Sequence, residues 1–556
     1  MSPAGRDVSR REVLRWGAAT AFVGALTPAA LTACSTTSDG PVGSDELDVA
    51  IIGGGPTGLY AAYRILTGTA NSGSPIDMAS PRVAVFEATD RLGGRIWSVA
   101  APGAPSLTAE FGGMRFLDTQ EIVPRLIDAL GLPSADFTTS NGENFVYLRG
   151  KRFRESQYSD PSVVPYVLAP SEQGRTPADL LLRGITDYVP GADTLTPAAW
   201  SKVKQTATFE GELLRNQGYW NLMQRTLSPE GYAFMGDGVG YPISTDNWNA
   251  VETMQQMSVD FGPGATYRTI PGGYLRLPLT LAAIAREAGA SVHLQTRATS
   301  IAPAPGGGSV ITFTDAVGVV STVRAKRVIL AIPSEPMKEL ANRSPLLQDA
   351  PFERVLNSVG TGPSSKLIMA FSSPWWRKLN VVGGMSVTDL PVKRIVYFGP
   401  ESEVPGGQAG NENSLLLCYT DMESTDFWDA YQSEDVISGA TAPREAPPRM
   451  IAEALSQLSE VHGVEVPDPY WSGFIDWART PYGNAFHAWR VHANSGEIIP
   501  YLRNPFDGTG ISVAVDCWSP SQDFIESGLT VAEALLQSDY GLQSPPWLPA
   551  GTGIST

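Results

Sequence analysis

Asp48-Val49-Ala50-Ile51-Ile52-Gly53-Gly54-Gly55-Pro56-Thr57-Gly58 is the stretch whose reading decides the fold. Its first five residues read as a buried strand, and the next six spell the G-x-G-x-x-G turn. Leu59, Ala62, Tyr63 and Leu66 then recur at helical spacing, so strand, tight turn and helix follow in order. In such a unit Gly53 makes the turn, Gly55 lets backbone approach a pyrophosphate, and Gly58 lets the helix lie close on the strand. Pro56 and Thr57 open a helix whose free N–H groups and positive dipole end suit phosphate.

Working outward, Arg82-Val83-Ala84-Val85-Phe86 reads as a second strand ending at Glu87 and Ala88. A carboxylate there accepts hydrogen bonds from ribose hydroxyls, although it stands further on than the usual ~20 residues. The Gly/Ser/Pro-rich stretch 67–81 accounts for the excess as a surface insertion. Asp90-Arg91-Leu92-Gly93-Gly94-Arg95 and Gly112-Gly113-Met114-Arg115-Phe116 complete the run. A lone glycine motif is weak evidence, but this ordered set is specific.

The expected fold class is mixed α/β, with a Rossmann-like dinucleotide domain assembled from separated segments 47–116, 267–335 and 505–540. The middle segment holds the strand Ser291–Leu294 and the apolar run Val328–Pro333, and the last closes on a helix with Ile525, Leu529, Ala532 and Leu536 on one face. Residues 117–266 are expected to form a helical subdomain, since Thr176-Pro177 and Thr196-Pro197 each set an N-cap beside a first-turn proline. Residues 336–504 carry strand patterns such as Lys366–Phe371 and Leu415–Tyr419, the basis of a mixed-sheet substrate domain. Gly439–Pro448 reads as an exposed loop.

Composition narrows the function. A net charge of −17, with no basic stripe, argues against nucleic acid. Three cysteines (Cys34, Cys418, Cys517) imply no disulfide framework, and four histidines without ligand spacing imply no metal site. Ser9-Arg10-Arg11-Glu12-Val13-Leu14 resembles a twin-arginine export signal, and the apolar run 16–30 is short for a membrane span. Leu31-Thr32-Ala33-Cys34 reads as a lipobox. Residues 1–33 are therefore expected to be a cleaved signal handled by the twin-arginine translocase, with Cys34 lipidated and 34–46 a polar tether. The expected location is the outer face of the bacterial cytoplasmic membrane, with the lipid as the sole membrane contact; whether the chain pairs as a homodimer is left open.

These motifs, together with Lys366 ahead of Pro374-Trp375-Trp376, Pro481-Tyr482-Gly483, and Trp518-Ser519 through Gly528, resemble the flavin monoamine oxidase family, and within it the L-amino-acid oxidases and tryptophan monooxygenases. The resemblance covers nearly all of 47–540. It implies an FAD-binding domain of the glutathione-reductase type, with FAD along Gly53, Gly55, Pro56, Thr57, Gly58, Glu87, Ala88, Arg91, Gly94, Arg95, Gly112, Gly113, Met114 and Arg115. Ala298, Asp516 and Ile525 complete that implied set. It also implies hydride transfer from an amine-bearing carbon to the flavin, with dioxygen as acceptor.

The resemblance places Arg115 as the group that clasps a substrate carboxylate, in keeping with bidentate guanidinium chemistry. It places Lys366 as the lysine that holds a water near the reacting flavin atom. Phe486, Trp489 and Phe524 are expected to line the substrate pocket, while His487 reads as structural. No cysteine stands near Tyr482, so the flavin is expected to be non-covalent. Many relatives have Gly-Glu where this chain has Val515-Asp516 and Gly-Trp where it has Asp523-Phe524; Asp516 is expected still to accept a ribityl or phosphate-bridging hydrogen bond. The leading expectation is oxidative deamination of an L-amino acid to a 2-oxo acid, ammonia and hydrogen peroxide. An amine or polyamine oxidase or dehydrogenase, an amino-acid monooxygenase, and a flavin-binding protein without turnover are the other readings of the same residues.

Overall fold

The computed structural model describes residues 36–40, 46–71, 74, 80–262, 266–432, 445–478, 484–522 and 524–549. The stretch expected to be an export signal, Cys34, Tyr482 with its neighbours, Asp523 and residues 439–444 of the Ala/Pro-rich stretch lie outside the described residues.

Strands β1 (Leu47–Ile52), β2 (Val83–Phe86), β3 (Ser291–His293), β4 (Thr296–Pro303), β5 (Ser309–Asp315) and β6 (Val320–Leu330) form one sheet in the order β3-β2-β1-β6-β5-β4. The pairings β3–β2–β1–β6 are parallel, and a short strand, Ile511–Val513, adds in parallel to Val328–Leu330. β5 pairs antiparallel with both β4 and β6. Helices α1 (Pro56–Thr67), α2 (Arg276–Glu287) and α3 (Ile525–Ser538) cover one face, sharing a core that includes Leu59, Leu281 and Leu529. Segments hundreds of residues apart thus build one buried sheet, which is why Val49–Ile52 of β1 is apolar on both faces.

One buried ion pair ties the first and last helices together. Arg64 donates from Nε and Nη2 to the two carboxylate oxygens of Glu533, each at 2.8 Å, and the Tyr60 hydroxyl adds a third bond at 2.7 Å. Burial alone would raise the Glu533 carboxyl; the hydrogen bonds and charge of Arg64 outweigh it and hold the group below its ordinary value of 4.5. Its depressed value means the contribution to stability is fully present above 4.5 and fades as pH falls through the native value. Arg64→Leu should lower stability by about 3–5 kcal/mol at neutral pH, because a buried carboxylate loses its partner. Urea titration is the check, and the Arg64→Leu/Glu533→Leu pair should recover much of that loss.

The residues expected to be a free tether are docked in part. Asp39 exchanges backbone and side-chain bonds with Val292 at 2.8 and 2.6 Å, and Arg286 pairs with Asp39 at 3.2 Å. Residues 37–39 thereby cover the exposed edge of β3, a place where unpaired N–H and C=O groups would otherwise stand open.

A second seven-stranded sheet holds β7 (Ser364–Phe371), β8 (Ser414–Asp421) and β9 (Trp471–Asp476), in the order β9-β7-β8, followed by Arg394–Phe398, Met385–Thr388, Phe145–Leu148 and Lys151–Arg154. The 145–154 hairpin therefore belongs to this sheet and not to the helical subdomain in which the sequence pattern placed it. Side chains of β7 alternate between two cores: Leu367, Met369 and Phe371 in one, Ile368 and Ala370 in the other. With period two, Lys366 must share the second side, where Phe111 and Met114 lie. The remaining block is helical, and Thr176 and Thr196 cap Pro177–Thr186 and Pro197–Thr206 by accepting from Asp179 N (3.1 Å) and Ala199 N (3.2 Å).

Candidate active site

A cavity of about 1080 Å³ runs from the carboxyl ends of β1 and β2 to the face of the second sheet. Ligands in open α/β sheets bind at such strand ends. The first end is built by the opening motif. Gly53 turns with φ +114°, and a Cβ there would collide with the Ala331 carbonyl. Gly58 does not reach the cavity wall; its missing Cβ is what allows α1 to rest on the Gly53 carbonyl. Gly55 lies close against Gly94: a Cβ on Gly94 would stand 3.2 Å from the Gly55 Cα, and one on Gly55 3.9 Å from the Gly94 Cα. The α1 N-terminus has no side-chain cap and no acid in its first turn, so its leading N–H groups meet no protein anion. Glu87 is buried at the cavity edge, its Oε2 accepting from Gly54 N and its Oε1 from Thr89 N, both at 2.8 Å.

Pro56, Thr57, Ala88, Arg91, Gly112, Gly113, Met114, Ala298 and Ile525 line the same cavity. Arg91 is fixed from behind, donating to the Gly94 carbonyl at 2.6 Å with its guanidinium 4.2 Å from the centre of the Trp97 ring. Arg95 and Asp516 also line it, yet they form an ion pair with each other. Arg95 further donates to the Ala485 carbonyl at 3.0 Å. One Asp516 oxygen expected to serve a ligand is therefore engaged by protein. His487 stands behind Arg95 at 3.3 Å, and burial with the Arg95 charge pushes its imidazole down to about 3. It is a neutral structural group, outside the cavity wall.

At the other end stand Lys366 and Arg115. Lys366 is buried, and Nζ donates to the carbonyls of Glu110 and Gly112. Burial pulls the ammonium below its ordinary value, the Glu110 carboxylate opposes this, and the Arg115 charge adds to it. Arg115 lies with its guanidinium 4.0 Å from the centre of the Tyr267 ring and donates to the Tyr241 hydroxyl at 3.0 Å. It also touches the Met385 sulfur at 3.9 Å and lies 5.6 Å from the centre of the Phe137 ring; among the described residues no carboxylate forms an ion pair with it. Arg115 lines the cavity.

Phe486 and Phe524 line the cavity, but Trp489 does not. Phe486–Trp489 is a strand, so positions 486 and 489 point to opposite faces. Trp489 is buried in the core, its indole N–H donating to the Ser519 carbonyl at 3.1 Å. The structure also brings in Tyr241, Asp260, Tyr267 and Tyr419, which sequence reading missed. Tyr419 is paired directly opposite Lys366 across β7 and β8, a relation visible only once the register is known. Among the described residues no group of acids, histidines and cysteines could hold a metal ion, and no helix is long and apolar enough to cross a membrane.

The model of the flavin-containing amine oxidoreductases matches residues 56–536, from the α1 N-terminus to the end of α3. The chain belongs to that family. The oxidoreductase is 25% identical over 527 residues to aplysianin-A of Aplysia kurodai, covering 89% of this chain and 90% of that one. It is 26% identical over 509 residues to the L-amino-acid oxidase of Pseudechis australis, covering 88% and 86%. Among solved structures, cyclohexylamine oxidase from Brevibacterium oxydans IH-35A superposes with a TM-score of 0.63 at 19% identity, covering 89% of this chain and 99% of that one, a likeness of fold. The family's flavin fits the residues present. An uncapped helix N-terminus, the close-set backbones of Gly55 and Gly94 and an edge carboxylate would hold its phosphates and ribose, and the wide cavity beyond them has room for its ring.

Proposed function

We propose that this oxidoreductase uses non-covalently held FAD to convert L-amino acids to 2-oxo acids, ammonia and hydrogen peroxide. The observation that carries this reading is Arg115, which lines the cavity, is flanked by aromatic rings and a phenol, and forms no ion pair with a carboxylate among the described residues. A substrate bearing a carboxylate completes it; a simple amine does not. The likeness to L-amino-acid oxidases supports the same class and the L configuration.

FAD supplies the hydride acceptor and the route for electrons to dioxygen. Arg115 fixes the carboxylate and, with the cavity wall, decides which Cα–H is presented. Lys366, anchored by two backbone carbonyls, holds a proton at Nζ beside the substrate end. Tyr241, Tyr419 and Phe486 narrow that end and exclude water. The N-terminal pattern supports export as a lipoprotein anchored through Cys34, with FAD loaded before translocation; the mass of the mature N-terminal peptide tests it.

The purified protein should be yellow and release ammonia and peroxide in equal amounts from a panel of L-amino acids. Turnover of amines alone would make it an amine oxidase, and label from dioxygen in an amide product would make it a monooxygenase. A colourless protein that refuses reconstitution with FAD removes the proposal.

A further inference from the structure

The hairpin joining β5 to β6 ends in an apolar tip whose valines lie outside the cavity wall. From Ala316 to Val323 no side chain is charged, and Val317, Val319 and Val320 are 84%, 59% and 64% exposed. Other residues make the turn. Asp315 Oδ1 accepts from Val317 N at 3.0 Å and from Val319 N at 2.8 Å, and Gly318 takes the left-handed conformation with φ +86°. Turn formation calls on Gly, Asn, Asp and Ser, so it does not explain the valines. Exposed aliphatic side chains gathered at one point, not scattered singly, mark a surface that meets something apolar.

The tip stands beside the place where the N-terminal segment joins the body. Arg286 donates to the Thr37 carbonyl, and Leu294 N donates to Ser38 Oγ at 3.0 Å. Two residues after Leu294, Thr296 is paired with Asp315, the residue that closes the tip. Only three residue steps separate Thr37 from Cys34, and they span at most about 11 Å when fully extended. A lipid on Cys34 therefore does not swing the body on the whole 34–46 segment. It holds this one face close to the bilayer.

Resting on the reading of Cys34 as the lipidated residue, we infer that the 316–320 tip is a second membrane contact, inserted into the bilayer that carries the lipid. The valines enter the boundary between headgroups and acyl chains, where buried apolar area supplies the binding. Charge does not supply it, because the tip has none and the chain as a whole carries −17. Asp315, Ala316 and Arg297 line the cavity at its Glu87 end, so that end is turned toward the lipid.

The test uses the lipoprotein reconstituted in vesicles of phosphatidylethanolamine and phosphatidylglycerol. A nitrobenzoxadiazole label is placed on Val317→Cys or, as the control, on Val382→Cys, a 62% exposed position just ahead of Met385–Thr388 in the second sheet. Cys418 and Cys517 are buried and do not compete for it. Nitroxides on the lipid acyl chains should quench the label at 317 at least about twofold and leave the label at 382 nearly unchanged. Adding Val319→Asp should abolish the quenching at 317. Equal quenching at the two positions, or quenching that survives Val319→Asp, overturns the inference. So does a Cys34→Ala chain that forms dimers lost in Val317→Asp/Val319→Asp, which would assign the tip to a second copy. A mature N-terminal peptide without acyl groups refutes the lipoprotein reading instead. The tip is then judged by flotation of the unlipidated chain with the same vesicles: flotation lost in Val317→Asp/Val319→Asp sustains the assignment, and flotation absent or unchanged ends it.

Discussion

Arg115→Met is expected to lower kcat/KM for an L-amino acid about a thousandfold while leaving the matching decarboxylated amine within a few-fold of wild type. The size follows from the surroundings. A carboxylate brought into this end of the cavity is stripped of water, and its principal compensation is the guanidinium held by Tyr267 and Tyr241. Removing one partner of a buried charge pair costs about 2–5 kcal/mol, and about 1.4 kcal/mol is a factor of ten in rate. Methionine keeps most of the volume, so the rings should hold their places and the amine should still bind. Steady-state kinetics on phenylalanine and phenethylamine make the comparison. An equal loss on both would show Arg115 to be structural, and the carboxylate assignment would fail.

The second large effect separates two glycines that a motif treats alike. Gly55→Val should yield a folded protein that retains less than about a tenth of the wild-type flavin. Gly55 has φ −80° and ψ 178°, an extended conformation open to any residue, and its Cβ would stand 3.9 Å from the Gly94 Cα. A valine there adds bulk to the cavity wall beside the α1 N-terminus, where phosphates would lie. Gly58→Val acts on the fold itself, because its Cβ would overlap the Gly53 carbonyl oxygen and press on the Ile51 side chain at 3.1 Å. The Gly53 backbone cannot yield as a side chain would, so soluble yield should collapse. Visible flavin absorbance per polypeptide, together with the circular dichroism of each variant, tells the two apart. Full flavin retention by Gly55→Val would mean that the diphosphate does not lie against Gly55.

The fold was legible where local pattern and tertiary role coincide. Val49–Ile52 of β1 and the 328–330 part of β6 are apolar throughout because both their faces are covered, and sequence shows such runs directly. Thr176 and Thr196 act as caps within a few residues of themselves, so they too are readable. The 145–154 hairpin was missed because it is a short pair inside a helical block, and only its partner Met385–Thr388 makes it part of a sheet. Trp489 was misread for a related reason: an aromatic residue looks the same in a pocket and in a core, and the strand's two-residue period assigns it to the core.

By itself the sequence determined the dinucleotide-binding unit, the family resemblance and the residue types offered for chemistry, because these rest on contacts between neighbours along the chain. Tertiary structure alone decided which side chains share the substrate end. Arg115, Tyr241, Asp260, Tyr267, Lys366 and Tyr419 come from separate segments, and their proximity depends on strand register and helix packing across the whole molecule. The same packing decided that Arg95 forms an ion pair with Asp516 while Arg115 forms none among the described residues, for whether a buried charge has a partner is a property of three-dimensional neighbours.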